Sequence, residues 1–286
     1  MKKRLFLAVA GGVVALLTTV GASTHSYAQA VPTNDNLNAA LWTQKSVEFK
    51  ANTLGEFALA RIRLDQALKD KNWTAAPAEQ KGAFQKLPPA IVVDVDETVL
   101  DNSRYQTWMV LNDKSFSGDT WTKFCQAQVS EAVPGAVDFL KYADSKGVKV
   151  FYVSNRNADV EDASRQNMQR FGFPMGGNVD TFFFAKKRPE WTSDKGIRRA
   201  VIAKDYRILL NIGDNFGDFV DNYKGTEAER LKVMEENKAH WGHDWIMIAN
   251  PTYGSWESTP FGNNFKLPAD EQRKAKRGAL DAWNGN

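Results

Sequence analysis

The stretch Ala90-Ile-Val-Val-Asp-Val-Asp-Glu-Thr-Val-Leu-Asp-Asn-Ser103 constrains this chain more than any other. It opens as an apolar, β-branched run, Ala90 to Val95, set off by Pro88-Pro89. That is the pattern of a short strand buried on both faces of a parallel sheet. The run ends in carboxylates: Asp94, Asp96 and Glu97. Neighbouring anions at the end of an apolar strand repel one another and are costly to desolvate. A fold holds them when a cation neutralises them, and a hard divalent ion such as Mg²⁺ suits carboxylate and carbonyl oxygens. A surface turn after a strand uses the same Asp and Asn residues for local hydrogen bonds. This segment alone leaves both readings open.

The N-terminus reads as a targeting segment. Lys2-Lys3-Arg4 is its positive start, Leu5 to Val20 its apolar stretch, and Ala28-Gln29-Ala30 a small-residue cleavage site. Gly11-Gly12 interrupts the apolar stretch, which is shorter than a comfortable bilayer span, so a retained anchor is the weaker reading. No cysteine lies near that point to take a lipid. The expectation is a signal peptide over 1–30, cut after Ala30, and a periplasmic or secreted domain over 31–286 with no membrane contact after cleavage. Cleavage also changes the electrostatics. The chain carries 37 basic and 34 acidic residues, and the first 30 hold three basic and no acidic ones, leaving 34 of each. A neutral mature chain has no general field for a nucleic-acid polymer or an anionic lipid surface. Cys125 is the single cysteine, which excludes an intrachain disulfide; it reads as a packed thiol. The remaining length of about 256 residues suits one sizeable α/β domain with an added lobe.

Periodicity predicts a helix over 34–69 with Leu37, Leu41, Leu54, Ala58, Ile62 and Leu68 mostly on one face. Residues 72–88 read as irregular. The stretch 104–133, rich in aromatics (Tyr105, Trp108, Phe116, Trp121, Phe124), reads as a partly helical insertion over strand ends. From Val133 onward helices are expected over 134–146, 158–170, 194–204 (capped by Thr192 or Ser193), 227–241 and 269–283. Strands are expected between them over 148–153, 181–184, 206–212 and 245–249. Such alternation indicates a mostly parallel, doubly wound sheet. Ligands bind outside the carboxyl ends of the strands in such sheets. Three predicted strands end there in polar clusters: Asp94/Asp96, Ser154/Asn155/Arg156 and Asp214/Asp218.

Four carboxylates in one crevice suit a divalent cation, and a ligated carboxylate stays ionised at neutral pH. Asp94 can attack a phosphoryl group, since aspartates are phosphoryl acceptors. Asp96 is suited to protonate the leaving group and then activate water. Ser154 and Asn155 can donate hydrogen bonds to phosphoryl oxygens, and a lysine is needed against the charge of the transferring phosphate. Lys186, Lys187 and Lys195 all lie near.

Asp94-Val-Asp96-Glu97-Thr98, Ser154-Asn155-Arg156, Lys195 and Gly213-Asp214-Asn215-x-x-Asp218-Phe219 resemble, in order, the four motifs of the haloacid dehalogenase superfamily. The flanks Leu100-Asp-Asn-Ser103, Asp119-Thr-Trp121-Thr, Ala132-Val-Pro-Gly-Ala136, Val150-Phe-Tyr-Val-Ser-Asn-Arg156 and Asn250-Pro-Thr-Tyr-Gly-Ser-Trp-Glu257 are similar to the class C bacterial acid phosphatases. That group includes the lipoprotein-type 5′-nucleotidases. The resemblance covers roughly residues 36 to 260, and four ordered motifs are far more specific than a lone Asp-x-Asp. It implies a Rossmann-like core with a smaller helical lobe drawn from about 34–86 and 104–133. It also implies Asp94 as nucleophile and Asp96 as general acid/base, with the Asp96 backbone carbonyl on Mg²⁺. Asp214 would be a direct metal ligand, and Asp218 a ligand through water or a support behind it. Ser154 and Asn155 would hold the phosphoryl oxygens, Lys195 would bridge phosphate and carboxylates, and Trp121 and Tyr253 would clamp a flat leaving group. Those two aromatics read equally as packing residues on composition alone. The lipoprotein-type cleavage-site cysteine is missing here, so the anchor does not carry over.

The resulting expectation is an exported, Mg²⁺-dependent acid phosphatase acting on phosphate monoesters, with 5′-nucleotides and aryl phosphates as substrates. A homodimer is compatible with it. Two rivals stand beside it: a phosphotransferase using the same site with an alcohol as acceptor, and a catalytically silent exported binding protein. His240 and His243 have a metal-like spacing with no evident partner ligand and read as a surface helix end.

Overall fold

Pro88-Pro89 ends an irregular segment, and the apolar run after it forms the middle of a parallel sheet. The computed structural model describes residues 34–285, so the expected signal peptide lies outside the described residues. In chain order the elements are α1 (Leu37–Lys45), α2 (Val47–Lys69), β1 (Pro89–Val93), β2 (Leu100–Asp101), α3 (Ser103–Leu111), α4 (Gly118–Ala127) and β3 (Glu131–Ala132). Then follow α5 (Ala136–Ser145), β4 (Lys149–Asn157), α6 (Glu161–Phe171), β5 (Phe182–Ala185), α7 (Gly196–Asp205) and β6 (Arg207–Gly213). The chain closes with α8 (Glu227–Glu236), β7 (Trp245–Met247), α9 (Ser255–Ser258) and α10 (Ala269–Gly278).

The sheet runs β5-β4-β1-β6-β7 with every neighbouring pair parallel, which is the doubly wound architecture expected. Order reverses at β1: the chain goes outward through β4 and β5, then returns to the other side for β6 and β7. Strand residues alternate between two apolar layers, as the two-residue period of a strand requires. Ile91, Val93, Val150, Tyr152, Phe182 and Phe184 face the layer that holds Phe57 and Leu64 of α2 and Phe139 and Leu140 of α5. Ala90, Val92, Phe151, Val153 and Phe183 face the layer of Ile202 from α7, Trp191 and Trp245. Register shifts between Ala90 and Ile91 against β6, so Leu209 and Leu210 both fall on the α2 side. Asn211 then turns to the other side and gives its side-chain N–H to Ala75 O at 3.0 Å.

Several local expectations change, among them two helix ends: α8 stops at Glu236 and not at 241, and α10 at Gly278 and not at 283. The helix over 34–69 is two helices. Ser46 sits between them in extended backbone (φ −75°, ψ 145°), and its hydroxyl accepts from Phe49 N at 3.0 Å to cap α2. The buried face is also different: Phe49, Thr53, Phe57, Ala60, Leu64 and Ala67 point inward, while Leu37, Leu41, Leu54 and Ile62 are more than half exposed. Ala60 and Ala67 let the helix approach the sheet closely, a packing reason that counting aliphatics does not register. At α7 neither Thr192 nor Ser193 caps; Lys195 holds that position, and Gly196 N donates to the Asp221 carboxylate at 2.9 Å. Finally, β2 and β3 form a small antiparallel pair beyond β1, too short to leave a periodic signal.

Candidate active site

The aspartates of the site leave the carboxyl ends of β1 and β6 or the loops just beyond them, and Lys195 comes from the start of α7. Asp94 follows β1 directly, and its N–H continues the ladder to Ile212 O at 2.9 Å. Asp214 follows β6, and Asp218 lies one short turn later, where its carboxylate accepts from Asn215 N at 2.9 Å and closes a reciprocal cap with the Asn215 side chain. Gly213 is glycine for space. A Cβ there would lie 2.5 Å from the Asp218 Cβ, so only a bare backbone lets Asp218 fold back beside Asp214.

One carboxylate oxygen each from Asp94, Asp214 and Asp218 lie within 4.8 Å of one another. Asp94 and Asp218 are buried and Asp214 is half-buried. Lys195, also buried, places its ammonium between two of them, on Asp94 Oδ1 and on Asp218 Oδ1 at 2.6 Å. Thr98 Oγ1 donates to Asp214 Oδ1 at 3.1 Å and Asn250 Nδ2 to Asp214 Oδ2 at 2.8 Å. The electrostatics follow from this crowding. Burial pushes the Asp94 carboxyl up to about 7; Lys195 pulls it down, and Asp218 and Asp96 push it further up. Asp214 lies well above the ordinary carboxylate range, from burial first and then repulsion by Asp218 and Asp94. Burial works against the Lys195 ammonium, yet the carboxylates of Asp218 and Asp94 outweigh it and hold its pKa above normal. One ammonium does not neutralise three carboxylates, two of them buried and one half-buried. An all-oxygen set with this residual negative charge fits a hard divalent cation.

Asp96 turns the other way. Its Oδ1 accepts from Arg156 Nε at 2.9 Å and from Asn102 Nδ2 at 2.8 Å, and Ser154 Oγ lies 3.4 Å from Oδ2. Ser154 is fully buried. The Asn155 side chain is exposed; its amide donates to Ser193 O at 3.0 Å and accepts from Arg198 Nη2 at 2.5 Å. Trp121 stands in an aromatic group with Tyr105 (ring centroids 5.1 Å apart) and Phe124 (5.5 Å), with the Arg156 guanidinium 5.4 Å from its ring. The Tyr253 hydroxyl donates to Glu97 Oε2. The structure therefore gathers Asp94, Asp214, Asp218 and Lys195 at one point. It attaches Asp96, Ser154 and Trp121 through Arg156, Tyr253 through Glu97, and Asn155 through Arg198.

Three of these supporting residues have no role in the sequence reading, and the fourth, Glu97, read there as a carboxylate for a cation to neutralise, is instead held by hydrogen bonds. Arg198 is fully buried and ties α7 to the end of β4 through Ser154 O at 2.6 Å, and burial pushes its pKa down to about 10. It lies three positions after Lys195, on the same helical face, and that spacing is its only sequence signal. Arg156 and Asn102 stand inside quoted motifs without a function attached. Glu97 is the next carboxylate after Asp96, yet its partner Tyr253 is 156 positions away. His240 and His243 sit together on the buried Asp244, at 2.8 and 3.8 Å, away from the acidic cluster.

The family model for the HAD superfamily, subfamily IIIB (acid phosphatase), matches residues 16–256, and the chain belongs to that family. It is similar to the class C acid phosphatase of Bacillus anthracis, with 33% identity over 88% of this chain and 99% of that one and a TM-score of 0.77. A structure of the same Bacillus anthracis protein with tungstate bound matches at 32% identity, with the same coverage and TM-score. The resemblance read from the motifs is borne out. The protein is a phosphomonoesterase acting on small phosphate esters, and its superfamily uses a divalent metal for which this acidic cluster is suited. Among the described residues no helix is long and apolar enough to cross a membrane.

Proposed function

We propose that the protein is an exported, Mg²⁺-dependent acid phosphatase that hydrolyses 5′-nucleotides and aryl phosphates through an aspartyl-phosphate on Asp94. The observation that carries this reading is the meeting of the Asp94, Asp214 and Asp218 carboxylates around the Lys195 ammonium at the carboxyl end of β1 and β6. Asp94, Asp214 and the backbone carbonyl of Asp96 would hold the ion, with Asp218 supporting through water or through Lys195. When bound, Mg²⁺ supplies the positive charge that keeps these carboxylates ionised and offsets charge on the phosphoryl oxygens.

Asp94 then attacks phosphorus while Lys195 and Ser154, together with Asn155 at the rim, hold the phosphoryl oxygens. Asp96 protonates the departing oxygen and afterwards takes a proton from the water that hydrolyses the aspartyl-phosphate. Tungstate, which occupies the Bacillus anthracis structure, is a tetrahedral oxyanion of the same kind as phosphate. Trp121, beside the Arg156 that holds Asp96, and Tyr253, on Glu97 next to Asp96, would flank a flat leaving group, each stacked base being worth about 1–3 kcal/mol. Because Asp96 must carry a proton in the first half, an acidic optimum is expected. The 31–286 chain, released by cleavage after Ala30, would work in the periplasm or outside the cell. A homodimer is compatible with this reading.

Phosphate release from 5′-AMP and p-nitrophenyl phosphate, with Mg²⁺ or EDTA and beside Asp94→Asn, tests this. Mg²⁺-dependent turnover that disappears in the variant is the expected result. Turnover unchanged by EDTA would remove the metal from the scheme, and a folded protein inactive on both esters would remove the substrates. Added nucleoside, by capturing the phosphoryl group, would instead reveal a phosphotransferase.

A further inference from the structure

The two carboxylate oxygens of Asp96 are not equivalent. Oδ1 accepts two hydrogen bonds, from Asn102 Nδ2 at 2.8 Å and Arg156 Nε at 2.9 Å, and Arg156 Nη2 adds an ion-pair contact at 2.8 Å. At Oδ2, among the described residues, the one hydrogen bond is from the Ser154 hydroxyl, long at 3.4 Å. The donors on Oδ1 are themselves held in place. Arg156 is 2% exposed, gives Nη1 to Ser164 Oγ at 2.8 Å and Nη2 to Asn102 Oδ1 at 3.2 Å. Asn102 Oδ1 also takes the Ser130 hydroxyl at 2.6 Å, and Ser164 Oγ is anchored on Val160 O at 2.8 Å. Asn102, Ser130 and Ser164 are all buried. A guanidinium cannot give up its proton and a carboxamide N–H cannot turn into an acceptor. Oδ1 is therefore saturated with donors and has no place for a transferable proton.

We propose that Arg156 and Asn102 are positioning residues that select Oδ2 of Asp96 as the oxygen that moves the proton. The inference rests on Asp96 being the acid. As Asp94 bonds to phosphorus, the ester P–O bond breaks, its electron pair stays on the leaving oxygen, and that oxygen takes the proton from Oδ2. In the second half a water attacks phosphorus and gives its proton to Oδ2. The Asp94–phosphorus bond then breaks, its electron pair returning to the Asp94 carboxylate. Arg156 and Asn102 bind the other oxygen of Asp96, Oδ1. They fix the rotation of the Asp96 carboxyl, so that Oδ2 is the oxygen left for the substrate.

A leaving group that departs readily as an anion needs little help from this proton, whereas an alkoxide needs it fully. That difference separates positioning from plain structural support. The measurement is kcat/KM for p-nitrophenyl phosphate and for glycerol 2-phosphate with the wild type, Asn102→Ala, Arg156→Lys and Asp96→Asn, alongside thermal melting. For the alkyl ester, Asn102→Ala and Arg156→Lys are expected to lose ~10- to 100-fold, a share of the usual general-acid contribution, and the aryl ester less than about threefold. Equal losses on both esters in these two variants, with Asp96→Asn still skewed towards the alkyl ester, would overturn the positioning role alone. Equal losses in Asp96→Asn itself would overturn the acid assignment beneath it. Arg156→Lys also disturbs the contact with Trp121, which Asn102→Ala does not. If a buried change prevents folding, Ser164→Ala loosens Arg156 from behind, and it must show the same skew at smaller size or the proposal fails.

Discussion

Glu97 stands in left-handed backbone (φ 54°), buried, one residue beyond Asp96, a conformation that costs a residue with a Cβ about 1–3 kcal/mol. Its carboxyl meets the Tyr253 hydroxyl on one oxygen and Asn102 N at 3.2 Å on the other, so the strained turn fastens the 250–256 loop to the end of β1. Tyr253→Phe keeps the ring and strands a buried carboxyl. Stability is expected to fall by about 1–3 kcal/mol, read as a lower melting temperature, with KM for aryl esters rising more than kcat falls. Unchanged melting would mean that the hydroxyl does not hold Glu97. Gly213→Ala is a sharper change, because its methyl would meet Asp218 Oδ2 at 2.3 Å and displace it from Lys195. Titration calorimetry should then show weakened Mg²⁺ binding, and a wild-type isotherm would contradict the packing argument.

Among the elements, α2 separates apolar pattern from burial most clearly. Leu64 is fully buried against the sheet, and Leu54 on the same helix is 53% exposed. Leu64→Ala is expected to cost about 2–5 kcal/mol in denaturant unfolding. Leu54→Ala should stay within about 0.5 kcal/mol. Equal losses would mean that the helix is rotated from the face described. The aliphatic stripe at 37, 41, 54 and 62 is legible in the sequence and faces outward. The stripe that packs contains Thr53, Ala60 and Ala67, whose value lies in close approach and not in hydrophobicity.

On the scale of the whole molecule, the acidic cluster sets how stability depends on pH. Burial raises the Asp94 carboxyl to about 7 and that of Glu97 to about 8, in each case with further upward pushes from neighbouring carboxylates. A carboxyl whose pKa is raised by folding stabilises fully below its unfolded value, near 4, and that contribution is lost as pH rises through the folded value. In EDTA the melting temperature is therefore expected to fall between pH 5 and pH 8. Mg²⁺ binds the ionised forms, so it should raise melting more at pH 8 than at pH 5, by about 2.7 kcal/mol at a hundredfold excess over Kd. Differential scanning calorimetry at both pH values checks this, and a metal-free protein that melts higher at pH 8 would sink it.

The parallel α/β architecture was legible because apolar runs alternating with amphipathic helices have few other ways to bury themselves. The acids were legible because Asp94, Asp96, Asp214 and Asp218 fall at strand ends that a parallel sheet must bring to one side. What the linear pattern could not supply is which long-range partner each polar group finds. Arg156 on Asp96, Arg198 on Ser154 and Tyr253 on Glu97 join residues 60, 44 and 156 positions apart. Buried polar groups must each find a partner, but no local periodicity records which one, so only the folded chain decides it. Chain order alone thus determined the fold class and brought the acids to one end of the sheet. Tertiary packing decided which face of α2 is inside and which oxygen of Asp96 the Arg156 and Asn102 donors occupy.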